Sequence, residues 1–140
     1  MPALKPVIVD TNILFSALLS SESQFAQVIL GSDRSFFICE STIVELFKHK
    51  EKIVRLSKLP ETDIIRLFYT LLRHMTVFKE VLIEPSIRQK AYQLCADIDE
   101  ADTPYVALTM HLGGLLWTGD KTLQVGLRQR GFDGFFEPKQ

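Results

Sequence analysis

The length, composition and charge of the chain exclude some classes of protein. The chain has 140 residues, of which 46% are hydrophobic and 24% charged. We therefore expect one globular domain over residues 1–140 with its own core, and not a disordered chain. The net charge of −1 neither supports nor excludes a nucleic-acid partner, because a local basic patch would not show in the total.

The cysteines and the lengths of the apolar runs bear on the compartment. Cys39 and Cys95 lie far apart with no CxxC pairing, so we expect reduced, mostly buried thiols. No basic-then-apolar leader opens the chain, and the apolar runs fall far short of the ~20 residues that span a bilayer. A soluble cytoplasmic protein with no membrane partner is expected.

In chain order, the first half alternates short apolar runs with helical patterns. The predicted elements are a strand over residues 7–9, a helix over 11–19, a helix from about Ser23 that is capped by Gly31, a strand over 36–39, and a helix entered at residues 40–42. In the last of these helices the apolar residues share one face, and Glu45 lies on the other.

The second half continues the alternation. The predicted elements are a helix from Glu61 to about His74, at least one strand among residues 76–78 and 81–83, a helix from Pro85 to Cys95, a helix opened by Thr103 and Pro104, a strand over 115–117, a helix over 121–130, and an edge strand at Phe135 and Phe136. Alternating strands and helices predict a three-layer α/β/α sandwich with a mainly parallel central sheet.

Two acids occupy equivalent junctions in this pattern. Asp10 follows the strand over 7–9, and Asp120 follows the strand over 115–117; each starts a helix. The carboxyl ends of parallel strands lie at one edge of a sheet, so the two carboxylates are expected to converge there. Each could also serve only as a helix cap.

Two further acids stand at similar places. Asp102 opens the helix that precedes the strand over 115–117, and Glu45 is one turn into the helix after residues 36–39. Four carboxylates in one crevice repel one another and raise each other's pKa unless a cation neutralises them. Mg²⁺ takes oxygen ligands of this kind, and such an ion can activate water for attack on a phosphodiester.

The order and spacing of these residues resemble the PIN domain nucleases over nearly the whole chain. The matching motifs are Val9-Asp10-Thr11-Asn12, the helix start Ser41-Thr42-Ile43-Val44-Glu45-Leu46, the segment Asp102-Thr103-Pro104-Tyr105-Val106-Ala107-Leu108, and Leu116-Trp117-Thr118-Gly119-Asp120-Lys121. The last two motifs are the most specific, because each joins an acid to several fixed neighbours.

The resemblance implies a site and an activity. Asp10, Glu45, Asp102 and Asp120 match the family's acidic quartet, which binds Mg²⁺ or Mn²⁺. Asn12 and Thr118 match polar positions that support the first and last acids, and Asp99 could assist or compete as the third ligand. The family's usual chemistry is hydrolysis of single-stranded RNA. Many small prokaryotic members are VapC-type toxins with an antitoxin partner, and a homodimer is also implied.

Basic residues are candidates for contacts with RNA phosphates, whether the RNA is single-stranded or structured. The candidates are Lys48, Lys50, Lys52, Arg55, Lys121, Arg128 and Arg130. A basic run of this kind is also typical of a solvated helix face.

Other functions fit parts of the pattern. A receiver-type phosphoacceptor domain has a similar size and acids at its strand ends, but it uses an acidic pair directly after the first strand, where this chain has Asp10-Thr11-Asn12. An aspartyl phosphatase usually needs a second acid two residues after the first, where this chain has Asn12. A PIN-like module that binds RNA or protein without cleaving remains a further alternative.

Overall fold

A parallel sheet forms the centre of the computed structural model, which describes residues 4–138. Its strands are β1 (Val7–Val9), β2 (Phe36–Cys39), β3 (Met75–Phe78) and β4 (Leu115–Trp117). They are arranged in the order β3-β2-β1-β4, and all three pairings are parallel. The predicted parallel sheet is therefore confirmed.

Eight helices are described around this sheet. They are α1 (Thr11–Ala17), α2 (Gln24–Gly31), α3 (Glu40–Lys48), α4 (Lys50–Leu56), α5 (Glu61–Leu72), α6 (Pro85–Cys95), α7 (Thr103–Leu112) and α8 (Lys121–Gln129). Two 3-10 turns, Glu80–Leu82 and Glu100–Asp102, precede α6 and α7. Within residues 4–138, every helix is too short or too polar to cross a bilayer.

The central strand β1 is buried on both faces and separates two apolar clusters. Val7 and Val9 pack into one cluster with residues of α1, α2 and α5, and Ile8 packs into the other with residues of α6, α7 and α8. Successive side chains of a strand point to opposite faces of its sheet, so a continuous apolar run is what a doubly covered strand requires. This arrangement confirms the three-layer α/β/α architecture.

Two local predictions were wrong. Phe135 and Phe136 form no strand; Phe135 makes one isolated parallel bridge with Leu116. The Phe136 N–H donates to the Leu116 carbonyl, but two residues later Pro138 has no N–H with which to extend the ladder. Gly31 is the last residue of α2, and the extended Ser32 occupies the cap position instead.

The prediction of at least one strand among residues 76–78 and 81–83 is confirmed. Residues 76–78 belong to β3, whereas Val81 and Leu82 lie in the 3-10 turn. Gly113 ends α7 in the left-handed conformation with φ of 61°.

The pairing of β1 with β4 depends on Gly114. A Cβ at this position would lie 2.5 Å from the Pro6 carbonyl oxygen and 2.9 Å from Ile8 Cδ1. The same carbonyl accepts the hydrogen bond from the Leu115 N–H at 2.8 Å. We expect Gly114→Ala to lower the free energy of unfolding by about 1–3 kcal/mol in urea denaturation, because the two strands must separate.

The matched control for this substitution is Gly31→Ala. A Cβ at Gly31 meets nothing within 4 Å, and its φ is not positive. We expect its free energy of unfolding to stay within about 1 kcal/mol of the original protein. Equal stability of the two variants would contradict the close packing at Gly114.

Candidate metal centre

Asp10 links the end of β1 to the start of α1. It is 4% exposed, and its Oδ1 accepts a hydrogen bond from the Ile13 N–H at 2.9 Å. Its own N–H donates to the carbonyl of Trp117, the last residue of β4. Asp10 is therefore a helix cap as well as a site candidate, and the cap uses only one of its two carboxylate oxygens.

Asp120 repeats this arrangement after β4. Its Oδ1 accepts a hydrogen bond from the Leu123 N–H at 3.0 Å and caps α8. Its N–H donates to the Thr118 hydroxyl at 3.2 Å. Because the strands are parallel, Asp10 and Asp120 lie at the same edge of the sheet, and the charge of Asp120 raises the pKa of Asp10.

Asp102 differs from these two acids because it caps nothing. It stands before α7 without a side-chain hydrogen bond to that helix. Burial, followed by the charges of Asp99, Asp10 and Asp120, raises its pKa to about 7. Burial also raises the pKa of Asp10, although hydrogen bonds from Thr118 and Ile13 oppose this effect. Burial is therefore the main effect on both acids, and the neighbouring carboxylates add to it.

A group of three carboxylates has the spacing of metal ligands. Asp99, Asp102 and Asp120 each offer an oxygen, and these oxygens lie within 4.8 Å of one another. Opposite oxygens around an octahedral Mg²⁺ are about 4.2 Å apart, twice its bond length. Small side-chain rotations would bring the three oxygens onto one ion, so these donors fit Mg²⁺ or Mn²⁺.

The structure brings together only some of the predicted ligands. Asp99, which could assist or compete as the third ligand, belongs with Asp102 and Asp120 to the group of oxygens just described, whereas Asp10 and Glu45 do not. The Glu45 side chain is 42% exposed and lies 3.6 Å from Lys48 Nζ and 3.8 Å from His49 Nε2. The role of Glu45 as a ligand stays a prediction.

The two predicted supporting residues also differ from each other. Thr118 is 5% exposed and accepts from the Asp120 N–H, and its hydroxyl opposes the rise that burial causes in the pKa of Asp10. Asn12 is exposed, and its backbone N–H has the same opposing effect on the pKa of Asp10. Any residue except proline could supply that N–H, so a role for the Asn12 side chain stays a prediction.

The basic candidates fall into two groups. Lys48, Lys50, Lys52, Arg55 and Lys121 are exposed. Lys52 lies over the ring of Phe15 in α1, with Nζ 5.7 Å from the ring centroid. By contrast, Arg128 pairs with Asp133 and Glu137, and Arg130 with Asp97. Lys48 is itself 3.6 Å from Glu45, so Lys50 and Lys52 of α4 are better placed to contact phosphates than the two arginines.

Asp102 should make the stability of the metal-free protein depend on pH. Its pKa is about 7 in the folded chain against an ordinary value of 3.8. Between these values the folded chain holds a proton that the unfolded chain has lost, so this carboxyl destabilises the fold increasingly as the pH rises through that window. In EDTA, Asp102→Asn should gain stability relative to the original protein from about pH 4 to about pH 8.

Urea unfolding at several pH values measures this difference. The control is Gly31→Ala, which removes no titratable group and should differ from the original protein by an amount that does not depend on pH. Parallel stability curves for Asp102→Asn and the original protein would contradict the raised pKa.

Comparison with known proteins agrees with the fold. A sequence model of the PIN domain family matches residues 8–134. A crystal structure of the protein PAE2754 from Pyrobaculum aerophilum superposes with a TM-score of 0.60 at 18% identity, covering 87% of this chain and 79% of that one. No curated protein matches the chain in sequence. At this identity the structural neighbour supports the fold alone, whereas the family match spans nearly the whole chain: the protein belongs to the PIN domain family of nucleases.

Proposed function

We propose that the protein is a divalent-metal-dependent endoribonuclease that hydrolyses single-stranded RNA. The observation that carries the proposal is the group formed by Asp99, Asp102 and Asp120 at the sheet edge, with Asp10 beside it. PIN domains are generally metal-dependent nucleases, and the spacing of these oxygens suits a hard divalent cation.

The residues that would hold Mg²⁺ or Mn²⁺ are Asp10, Asp99, Asp102 and Asp120, joined by Glu45 if its side chain turns toward the edge. When bound, such an ion supplies a Lewis acid that activates water and stabilises charge on a phosphoryl oxygen. Asp102, with a pKa of about 7, must give up its proton before it can serve as a ligand.

The protein side chains have separate tasks in this proposal. The Ile13 N–H donates to Oδ1 of Asp10, and the Leu123 N–H donates to Oδ1 of Asp120. In each acid the second carboxylate oxygen remains available. Thr118 contacts both acids and fixes their relative orientation. Burial raises the pKa of the Cys95 thiol to about 11, so it stays protonated and is a poor nucleophile. In the proposed reaction water is the nucleophile, and no covalent protein intermediate is needed.

Lysines beside the site would contact the RNA backbone. Lys48 lies 3.6 Å from Glu45, and Lys52 stands over Phe15 on the helix that Asp10 caps. Exposed ammonium groups along α3 and α4 can bind phosphates without reading base identity. Their contribution should weaken as salt is added.

A role as the toxin of a toxin–antitoxin pair is a second part of the proposal. One observation favours a protein partner: an apolar groove of about 190 Å³ between α1, α3, α4 and α5, beside which Phe47 is 77% exposed. Exposed apolar surface of this kind is commonly where another protein binds. The homodimer that the family resemblance implies stays a prediction.

A receiver-type domain and an aspartyl phosphatase are less well supported. Both would form a phosphoaspartate with a small phosphodonor, and both usually need a second acid near Asp10. The helix cap occupies one oxygen of Asp10, and the family match covers residues 8–134. These two observations favour the nuclease.

Cleavage of a labelled single-stranded RNA pool with Mn²⁺ or Mg²⁺ tests the proposal. EDTA should abolish cleavage. The double variant Asp10→Asn/Asp120→Asn should lower the rate by at least about 100-fold, the upper end for residues that only support a metal. The matched control Asp133→Asn, whose side chain is 83% exposed and pairs with Arg128, should cleave normally.

Glu45→Gln belongs in the same experiment, with Glu51→Gln on the neighbouring helix as its control. A ligand role predicts a loss of cleavage for Glu45→Gln alone. Cleavage that survives EDTA or the double variant would contradict the metal site. Mn²⁺ binding without cleavage of any RNA would favour a module that binds without cutting.

A further inference from the structure

The hydroxyl of Tyr105 is buried where three helices begin. Tyr105 belongs to the first turn of α7 and is 7% exposed. Its hydroxyl is hydrogen-bonded to the Thr11 hydroxyl, on the first residue of α1. Thr11 directly follows Asp10, so this bond joins the helix after Asp102 to the helix that Asp10 caps.

Thr42 brings the third helix to the same point. Its side chain is fully buried in α3, and its hydroxyl lies close enough to Tyr105 to oppose the rise that burial causes in the pKa of the phenol. Within residues 4–138, the Thr42 hydroxyl makes no hydrogen bond of good geometry. Thr42 therefore brings the start of α3 beside the Tyr105 hydroxyl by packing, and the hydrogen bond to Thr11 is the one that the structure shows.

These contacts connect the segments that carry the acids. Asp10 directly precedes Thr11, Asp102 precedes Tyr105 by one helical turn, and Glu45 follows Thr42 by one turn. We propose that Tyr105 is a positioning residue for the metal site, whose hydroxyl holds the starts of α1, α3 and α7 at the separation that the ligands need. This inference rests on the metal site proposed above.

Packing alone does not account for the phenol. A phenylalanine would fill the same space among apolar neighbours and would bury no hydroxyl, which costs free energy unless it is hydrogen-bonded. The negative charge of Asp10 acts on the Tyr105 hydroxyl, so the group lies within electrostatic reach of the site. A hydroxyl placed between three helix starts can fix their spacing in a way that an apolar ring cannot.

The test is Mn²⁺ binding by the folded protein, measured by calorimetric titration. Tyr105→Phe should weaken binding about tenfold, the lower end for outer residues of a metal site, because Tyr105 acts through Thr11 and not on a ligand directly. Thr11→Val removes the other partner of the hydrogen bond and should cause a similar loss. The double variant should be no worse than either single variant, because both remove one interaction.

Thr109→Val is the matched control. Thr109 is 2% exposed in the same helix, and its hydroxyl donates to the Tyr105 carbonyl at 2.7 Å. The Thr109→Val variant therefore loses a buried hydrogen bond, as Tyr105→Phe does, but that bond does not join α7 to a helix that carries another acid. Its Mn²⁺ affinity should stay within about twofold of the original protein's. A purely structural role would lower thermal stability in both variants and leave Mn²⁺ affinity alone.

Three results would decide whether Tyr105 positions the metal site. If Tyr105→Phe and Thr11→Val both bind Mn²⁺ as tightly as Thr109→Val does, the positioning role of Tyr105 is wrong. The proposal of a metal site would not be affected. If Tyr105→Phe does not fold, Thr11→Val alone decides in the same way. An original protein that binds no Mn²⁺ would overturn the metal site and this inference together.

Discussion

The repulsion among carboxylates at the carboxyl edge of the sheet is the constraint on which this account depends. Parallel pairing of β1 with β4 brings Asp10 and Asp120 to one edge, and the 3-10 turn before α7 adds Asp102. Burial and neighbouring charges raise the pKa of Asp102 to about 7. The ionised form of this carboxyl is therefore disfavoured at the place where the fold brings the acids together. A divalent cation removes this penalty, and in its absence a proton does so in part.

The fold holds the acids in two different ways. Asp10 and Asp120 are held by N–H groups at the starts of α1 and α8, where the positive end of the helix dipole stabilises an anion. Asp102 has no such bond to α7. Asp10 and Asp120 are therefore fixed by the helices that they cap, whereas Asp102, whose pKa burial raises to about 7, is the acid without such a restraint. This division explains why similar strand-to-helix junctions contribute differently to one site.

Much of the fold and part of the candidate site could be predicted from the sequence. Apolar runs alternating with helical patterns predict a parallel three-layer sandwich, and an acid just past β1 or β4 is then expected at the carboxyl edge. The sequence left open whether Asp99 assists or competes with Asp102, because the grouping of both with Asp120 depends on the folded position of the 3-10 turn. The contact of Tyr105 with Thr11 spans 94 positions and likewise exists only in the folded chain.

Anomalous diffraction from crystals grown with Mn²⁺ would test the central claim most directly. The account predicts an anomalous peak within coordination distance of the Asp102 and Asp120 carboxylates, with Asp10 or Asp99 beside it. The same map would show whether Glu45 turns away from Lys48 to join the ligands. A protein that binds Mn²⁺ elsewhere, or shows no peak at saturating Mn²⁺, would contradict a metal centre at this edge of the sheet.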